Sequence, residues 1–298
     1  MEGESSRVQY DLERMMPEPT PSPSTITDYR RYSFRTSPDR RLSTLLDAEQ
    51  FVKERGFLFF WPPKKIDFPS LWAAVAGERP VPNNNDDPAH ITWRWKDSML
   101  PDRRWYYGKL LRGRATLVSL EALPGFYALS PRHGDLDDFT EAYRAGNLTH
   151  EANGIARVLL EEGPQNSIQL RRKAGLSSPN AKSRFARGLT TLQKGLWILP
   201  IGVVDAGTWH YAFEYELLDR WLPEIKEGAR WLTDQAARES LLQHAIEALG
   251  CTDVHALKLL FGWQNHQLIP SLQQLADSGN LHQVQDQRWC VPSLLKPR

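Results

Sequence analysis

Seven cations fall between residues 165 and 194, namely Arg171, Arg172, Lys173, Lys182, Arg184, Arg187 and Lys194, and that stretch contains no aspartate or glutamate. The whole chain is nearly neutral, with 37 Lys and Arg against 36 Asp and Glu, so the positive charge is concentrated locally. Cations gathered without acids suit a polyanion, because each neutralised phosphate releases a counterion. Asn180, Ser183 and Thr191 lie among them, with amide and hydroxyl groups of the kind that reach base edges in a major groove. These ten residues are predicted to contact double-stranded DNA. The competing reading is a solvated basic face on a protein–protein module.

The elements that must position these side chains read as a winged helix-turn-helix over residues 150–213. A first helix, 151–162, buries Ile155, Val158 and Leu159 and stops at Gly163–Pro164. A short helix, 168–174, leads into the turn Gly175–Leu176–Ser177–Ser178. Ser178 is suited to cap a third helix that has Pro179 at its first position. Phe185, Leu189, Leu192 and Leu196 recur at helical spacing and form its buried stripe, which leaves the cations on the other side. Two apolar β-rich runs, 197–204 and 208–215, flank Asp205–Ala206–Gly207 and form a hairpin.

Other chemistry is thin. There is no glycine-rich phosphate loop, no nucleophile elbow, no His-Glu-x-x-His and no Cys/His cluster. No cofactor and no metal are expected, and His255 and His266 lack ligand spacing. Glu49, Glu54 and Asp67 flank the first buried strand and have the chemistry of a general base or a stabiliser of a cationic sugar. Carboxylates of this kind are more often solvated or paired. Cys251 and Cys290 suggest no disulfide framework and a reducing interior, with Cys290 an inert buried thiol. No apolar run approaches membrane length and no signal peptide is visible, so no membrane partner is expected and the location is read as cytoplasmic, at the nucleoid.

Along the chain, residues 1–40 read as a Pro/Ser-rich tail, disordered to about residue 28, followed by an arm. Residues 41–148 form an N-terminal α/β, winged-helix-like domain. Its expected parts are a helix striped by Leu45, Leu46, Phe51 and Val52, a buried strand at 57–61, and a helix at 70–76. In the basic, aromatic stretch 90–118, His90, Trp93 and Trp95 read as one face of a strand. Cations interleaved with rings suit nucleic acid, although such rings are more simply the core face of a half-buried strand. The central winged helix occupies 149–223, where Pro223 ends a short helix before a polar linker. Residues 230–296 repeat the central pattern, with a third helix that carries Gln and Asn but no Lys or Arg. The fold class is α+β, mainly α, with tandem winged helix-turn-helix domains; the oligomeric state is left open.

Several stretches together resemble the AlkZ-type winged-helix DNA glycosylases, in particular the shorter AlkZ-related proteins. They are Glu54-Arg55-Gly56-Phe57-Leu58, Pro69-Ser70-Leu71-Trp72, the Trp93/Trp95 segment, Tyr106-Tyr107-Gly108-Lys109 running to Val118, the 124–129 segment, and Gly146-Asn147-Leu148 through the central unit. The resemblance spans roughly residues 30 to 295 and implies consecutive winged helices around a basic channel. The family's catalytic Gln-x-Gln or Gln-x-Asp falls on Phe59 and Trp61 here, and a ring can neither orient a water nor stabilise an oxocarbenium ion. The resemblance therefore carries over the fold and a DNA partner, and no catalytic residue. Three functions remain: a duplex-DNA binder related to repair glycosylases, an active glycosylase with an altered site, and a protein–protein scaffold.

Overall fold

A computed structural model describes residues 20–295 except 84, 85 and 209. The first nineteen residues of the expected disordered tail lie outside the described residues. The rest of that tail is not disorder: Pro23–Ser33 is a helix, α1, capped by Ser22 with Pro at its start. It is ordered because it satisfies the open carbonyls at the end of a distant helix. Tyr29 Oη donates to Glu247 O at 2.7 Å, Ser33 Oγ to Ala248 O at 2.6 Å and Arg30 Nε to Leu249 O at 3.0 Å.

The remaining elements, in order, are α2 (Leu45–Arg55), β1 (Phe57–Phe59), α3 (Leu71–Ala76), α4 (Ile91–Ser98), β2 (Tyr106–Gly108), β3 (Thr116–Val118), α5 (Leu123–Ala128) and α6 (Phe139–Arg144). Next come α7 (His150–Glu162), β4 (Gln165–Asn166), α8 (Ser167–Lys173), α9 (Lys182–Lys194), β5 (Ile198–Val204), β6 (Ala212–Leu217), α10 (Leu218–Trp221) and α11 (Pro223–Ala229). The chain continues through α12 (Asp234–Leu249), β7 (Cys251–Asp253), α13 (Val254–Phe261), α14 (Asn265–Asp277), β8 (His282–Val284) and β9 (Arg288–Cys290). The protein is mainly helical with small sheets, so it is α+β.

One arrangement occurs three times: helix, strand, two helices, two strands. The three antiparallel sheets have the orders β1-β3-β2, β4-β6-β5 and β7-β9-β8, each with the last strand in the middle. The repeat expected between the central and C-terminal segments is joined by a third copy at the N-terminus.

Burial explains the run of large apolar residues at 57–60. Phe57 and Phe59 enter a core shared with α12, α13 and α14, while Leu58 and Phe60 enter a second core with Phe51 and Trp105. Successive strand residues face opposite sides, and here both sides are covered. The central arrangement has its own core of Ile155, Leu159, Leu170, Phe185, Leu192 and Trp197.

Several expectations need correction. Trp93 and Trp95 lie on a helix, α4, not a strand, so they share no strand face. Its start is fixed by Asp87, which caps the preceding 3-10 turn. Leu46 points to solvent and is not part of the α2 stripe. Thr44 supplies that helix's cap, in a reciprocal box with Asp47. Ser178 makes no side-chain cap bond, because a 3-10 turn, Pro179–Ala181, precedes α9. The short helix α10 does stop ahead of Pro223, but Pro223 then starts α11 where a polar linker was expected, as suits a residue lacking an N–H. Cys251 and Cys290 are joined in a disulfide, so neither is a free thiol. They stand directly opposite each other in the β7–β9 register. Among the described residues no helix is long and apolar enough to cross a membrane.

Candidate nucleic-acid interface

Helix α9 buries Phe185, Gly188, Leu189, Leu192 and Gln193 and presents the rest. Gly188 is the point of closest approach to α7. A Cβ there would stand 2.9 Å from Ile155 Cδ1 and 3.4 Å from Ala152 N. The C-terminal end is tied to the N-terminal sheet through Gln193. Its Oε1 accepts from Lys109 N at 3.0 Å, and its backbone carbonyl accepts from Tyr106 Oη at 3.2 Å. Beyond the helix, Leu196 O accepts from Arg132 Nη1 at 2.7 Å. Arg132 is itself buried between Asp138 and Asp219, at 2.8 and 2.6 Å. The helix is therefore held along one side and at one end, which fixes its outward face.

On that face Lys182, Ser183, Arg184, Arg187 and Lys194 are exposed, Thr191 is half-buried, and Asn180 is exposed in the preceding turn. They do not share one environment. Arg184 pairs with Glu151 at 3.1 Å. Arg171 is turned inward onto the carbonyls of Leu176, Ser177 and Ser178. Lys173 pairs with Glu162 and donates to Gln165 Oε1 at 2.8 Å. Arg172, Lys182, Arg187 and Lys194 have no ion pair or hydrogen-bond partner among the described residues. Acids absent from the local sequence thus reach two of the seven cations from neighbouring positions, backbone carbonyls take a third, and four stay free.

The second basic stretch divides in two. The loop after β2 carries exposed Lys109, Arg112 and Arg114. It lies against the end of α9: a Cβ on Gly113 would be 3.6 Å from Thr190 Cγ2 and 4.0 Å from Lys194 Cδ. Arg112 reaches the turn after α13, where its Nη1 lies 2.7 Å from the Cβ position of Gly262. Lys194, at the end of α9, therefore adjoins the cations of this loop.

The other half, on α4, is engaged internally. Lys96 is 1% exposed. Its Nζ lies 4.5 Å from the Phe213 ring centre, 4.7 Å from Trp93 and 4.9 Å from Tyr107, and it donates to Asp97 at 2.8 Å and Tyr211 Oη at 2.9 Å. Burial lowers the Lys96 pKa, with Asp97 acting against that. Sequence reading missed this cage, because Tyr211 and Phe213 lie far along the chain, on the central hairpin. Trp93 is 41% exposed above it, edge-on to Trp61 and Tyr211.

The positions matched to the family's catalytic pair offer no hydrolytic chemistry. Phe59 is buried in the shared core, and Trp61 is half-buried against Trp72, His90 and Trp93. Each carboxylate singled out near that strand has a cation partner. Glu49 meets Arg104 at 2.5 Å and Lys53 at 3.1 Å, Glu54 meets Arg35 at 2.6 Å, and Asp67 meets Arg30. Burial pushes Glu49 and Glu54 up, but the bonds to these cations prevail and hold both below the usual carboxylate range. His255 and His266 are exposed, on the separate helices α13 and α14. Among the described residues no group of three or more His, Cys, Asp or Glu could hold a metal ion.

Comparison with known proteins adds to this geometry. The model of the AlkZ-related family matches residues 42–262. No curated protein matches the chain. Among solved structures it is similar to the Streptomyces sahachiroi DNA glycosylase AlkZ, at 12% identity and a TM-score of 0.55, covering 90% of this chain and 69% of that one. At that identity the likeness carries the fold alone. The family match spans most of the length, and the chain belongs to the AlkZ-related family.

Proposed function

We propose that the protein is a tandem winged-helix DNA-binding protein of the DNA-repair type, with winged helices at 41–148, 149–223 and 230–296. Each helix–strand–helix–helix–strand–strand copy, with its last strand central, suits that name. The observation that carries the DNA reading is the set of unpaired, exposed cations on α9 and the 109–114 loop, which adjoin at Lys194. Arg187 and Lys194 face the duplex, with Ser183 and Thr191 beside them. Lys109, Arg112 and Arg114 take phosphates at one end, and Arg172 and Lys182 at the other. Arg171 and Lys173 shape the turn, and Arg184 reaches DNA only by sharing with Glu151. The relative from Streptomyces sahachiroi is named a DNA glycosylase. Here the rings at Phe59 and Trp61 and the paired state of Glu49, Glu54 and Asp67 favour binding without base excision. A location at the nucleoid follows from the DNA partner, and the Cys251–Cys290 disulfide lends no support to a reducing compartment.

The test is titration of a labelled duplex by fluorescence anisotropy. Arg187→Glu with Lys194→Glu is expected to weaken binding about tenfold or more and to flatten its salt dependence. Unchanged affinity rejects the interface. Incubation with duplexes carrying alkylated purines, followed by an abasic-site assay, is expected to give background only.

A further inference from the structure

A cleft of about 560 Å³ runs between α8 and α9, beside the outward face just described. Lys182, Ala186, Leu189 and Gln193 line it from one side of α9, at i, i+4, i+7 and i+11. Its floor is apolar: Phe185, Leu189 and Tyr215, with Ile168 at the mouth. Its rim is cationic: Lys109, Arg172 and Lys182, none with an ion pair or hydrogen-bond partner among the described residues. No aspartate or glutamate is among the residues that line it.

The walls are fixed. Asn166 caps α8 by accepting from Ile168 N at 3.1 Å and Gln169 N at 2.9 Å. Arg171 pins the following turn by its carbonyls, with Leu176 O at 2.8 Å and Ser178 O at 2.7 Å. Gln193 holds Lys109 in place by its backbone N–H. The cleft is thus a formed site rather than a gap between mobile parts.

Its chemistry asks for a flat apolar body that carries negative charge. In a stacked pair the base faces are covered by their neighbours and cannot meet this floor, and bare phosphate has no use for it. An extended peptide finds no strand edge, because Tyr215 is already paired with Gln165 on one side and Pro200 on the other. We infer that this cleft receives one unpaired nucleotide, its base against Phe185, Leu189 and Tyr215, its own phosphate on Arg172 and Lys182, and a neighbouring phosphate of the strand on Lys109. The volume falls in the range of small-molecule sites, and bases stack on such surfaces without sequence preference. The inference rests on DNA being the partner, and it adds a preference for bulged, gapped or single-stranded positions.

The experiment compares a fully paired duplex with the same duplex carrying a one-base bulge of 2-aminopurine, by anisotropy and by base fluorescence. The wild type is expected to bind the bulged form about fivefold tighter, with the base fluorescence quenched. Ala186→Trp, at an exposed position on the wall, fills the cleft without changing charge. It is expected to abolish the difference while paired-duplex affinity stays. Ile168→Gln at the mouth, which removes apolar surface without adding charge, is expected to do the same, and circular dichroism checks that both variants fold. Equal wild-type affinity for the two duplexes, or a preference that survives in both folded variants, overturns the nucleotide site and leaves the duplex interface standing. Failure to bind either duplex overturns both.

Discussion

Lys96 is the side chain that most clearly departs from what its type suggests. A solvated lysine would cost nothing, whereas this ammonium is taken out of water among five rings and is compensated by Asp97 and Tyr211. The attraction of ring faces for a desolvated cation is about 2 kcal/mol, and losing one partner of a buried pair costs more than the pair contributes. Lys96→Ala removes the cation and leaves a void beside Phe60 and Phe213. It is expected to lower stability by about 2–4 kcal/mol. Lys96→Met fills the space and keeps favourable sulfur–ring contacts, so its loss should stay under about 2 kcal/mol. Urea denaturation separates the two. An equal, large loss would mean that charge rather than packing holds the site.

Elements with local grammar were legible in the sequence, and elements defined by distant partners were not. The helices of the central copy could be read because Gly163 and the Phe185/Leu189/Leu192 stripe act within a few turns of one another. Helix α4 was not, because what buries Trp95 and Lys96 comes from β1, β2 and the central hairpin. The cations of 165–194 could be read as a set, but not the partners Glu151 and Glu162 that take two of them. The pairing of Cys251 with Cys290 depends on a register across 39 residues, which spacing does not reveal. At the same scale, Gly188 sets the α7–α9 distance and so the height of Arg187 and Lys194. Gly188→Ala gains about 1 kcal/mol of helix propensity, offset by pressing Ile155, and should change stability little. Gly188→Leu cannot fit against the Ala152 backbone. It is expected to cost about 1–3 kcal/mol and to weaken duplex binding, read by thermal melting and anisotropy.

At the scale of the whole molecule, the first and third copies of the repeat are fused while the second keeps its own core. Phe57 and Phe59 pack with Leu241, Leu249 and Leu272 in one cluster, and His244 of α12 lies under Gly56 at the end of α2. A Cβ on Gly56 would stand 2.8 Å from the His244 ring, and Gly56 has a φ of +73°, a region that favours glycine. That fusion makes the joint sensitive to acid. Burial lowers the His244 pKa below its ordinary value of 6.5; Glu247 opposes the shift and Arg55 adds to it. The buried Nδ1 of His244 has no hydrogen-bond partner among the described residues. With the folded pKa depressed, the unfolded chain takes up the proton first as pH falls. The stability from a neutral His244 is therefore complete above about pH 6.5 and is lost as pH drops from there through the folded value. The lowered carboxyls of Glu49 and Glu54 act in the same direction only in the more acidic range below about pH 4.5, whereas burial raises Glu216 and Asp219, whose protonation favours the folded state and so opposes the His244 loss. Thermal melting should fall by a few degrees between about pH 7.5 and 5.5, and His244→Gln, which cannot charge, should remove most of that slope. A slope unchanged in His244→Gln would mean that the acid sensitivity lies outside the joint between the first and third copies.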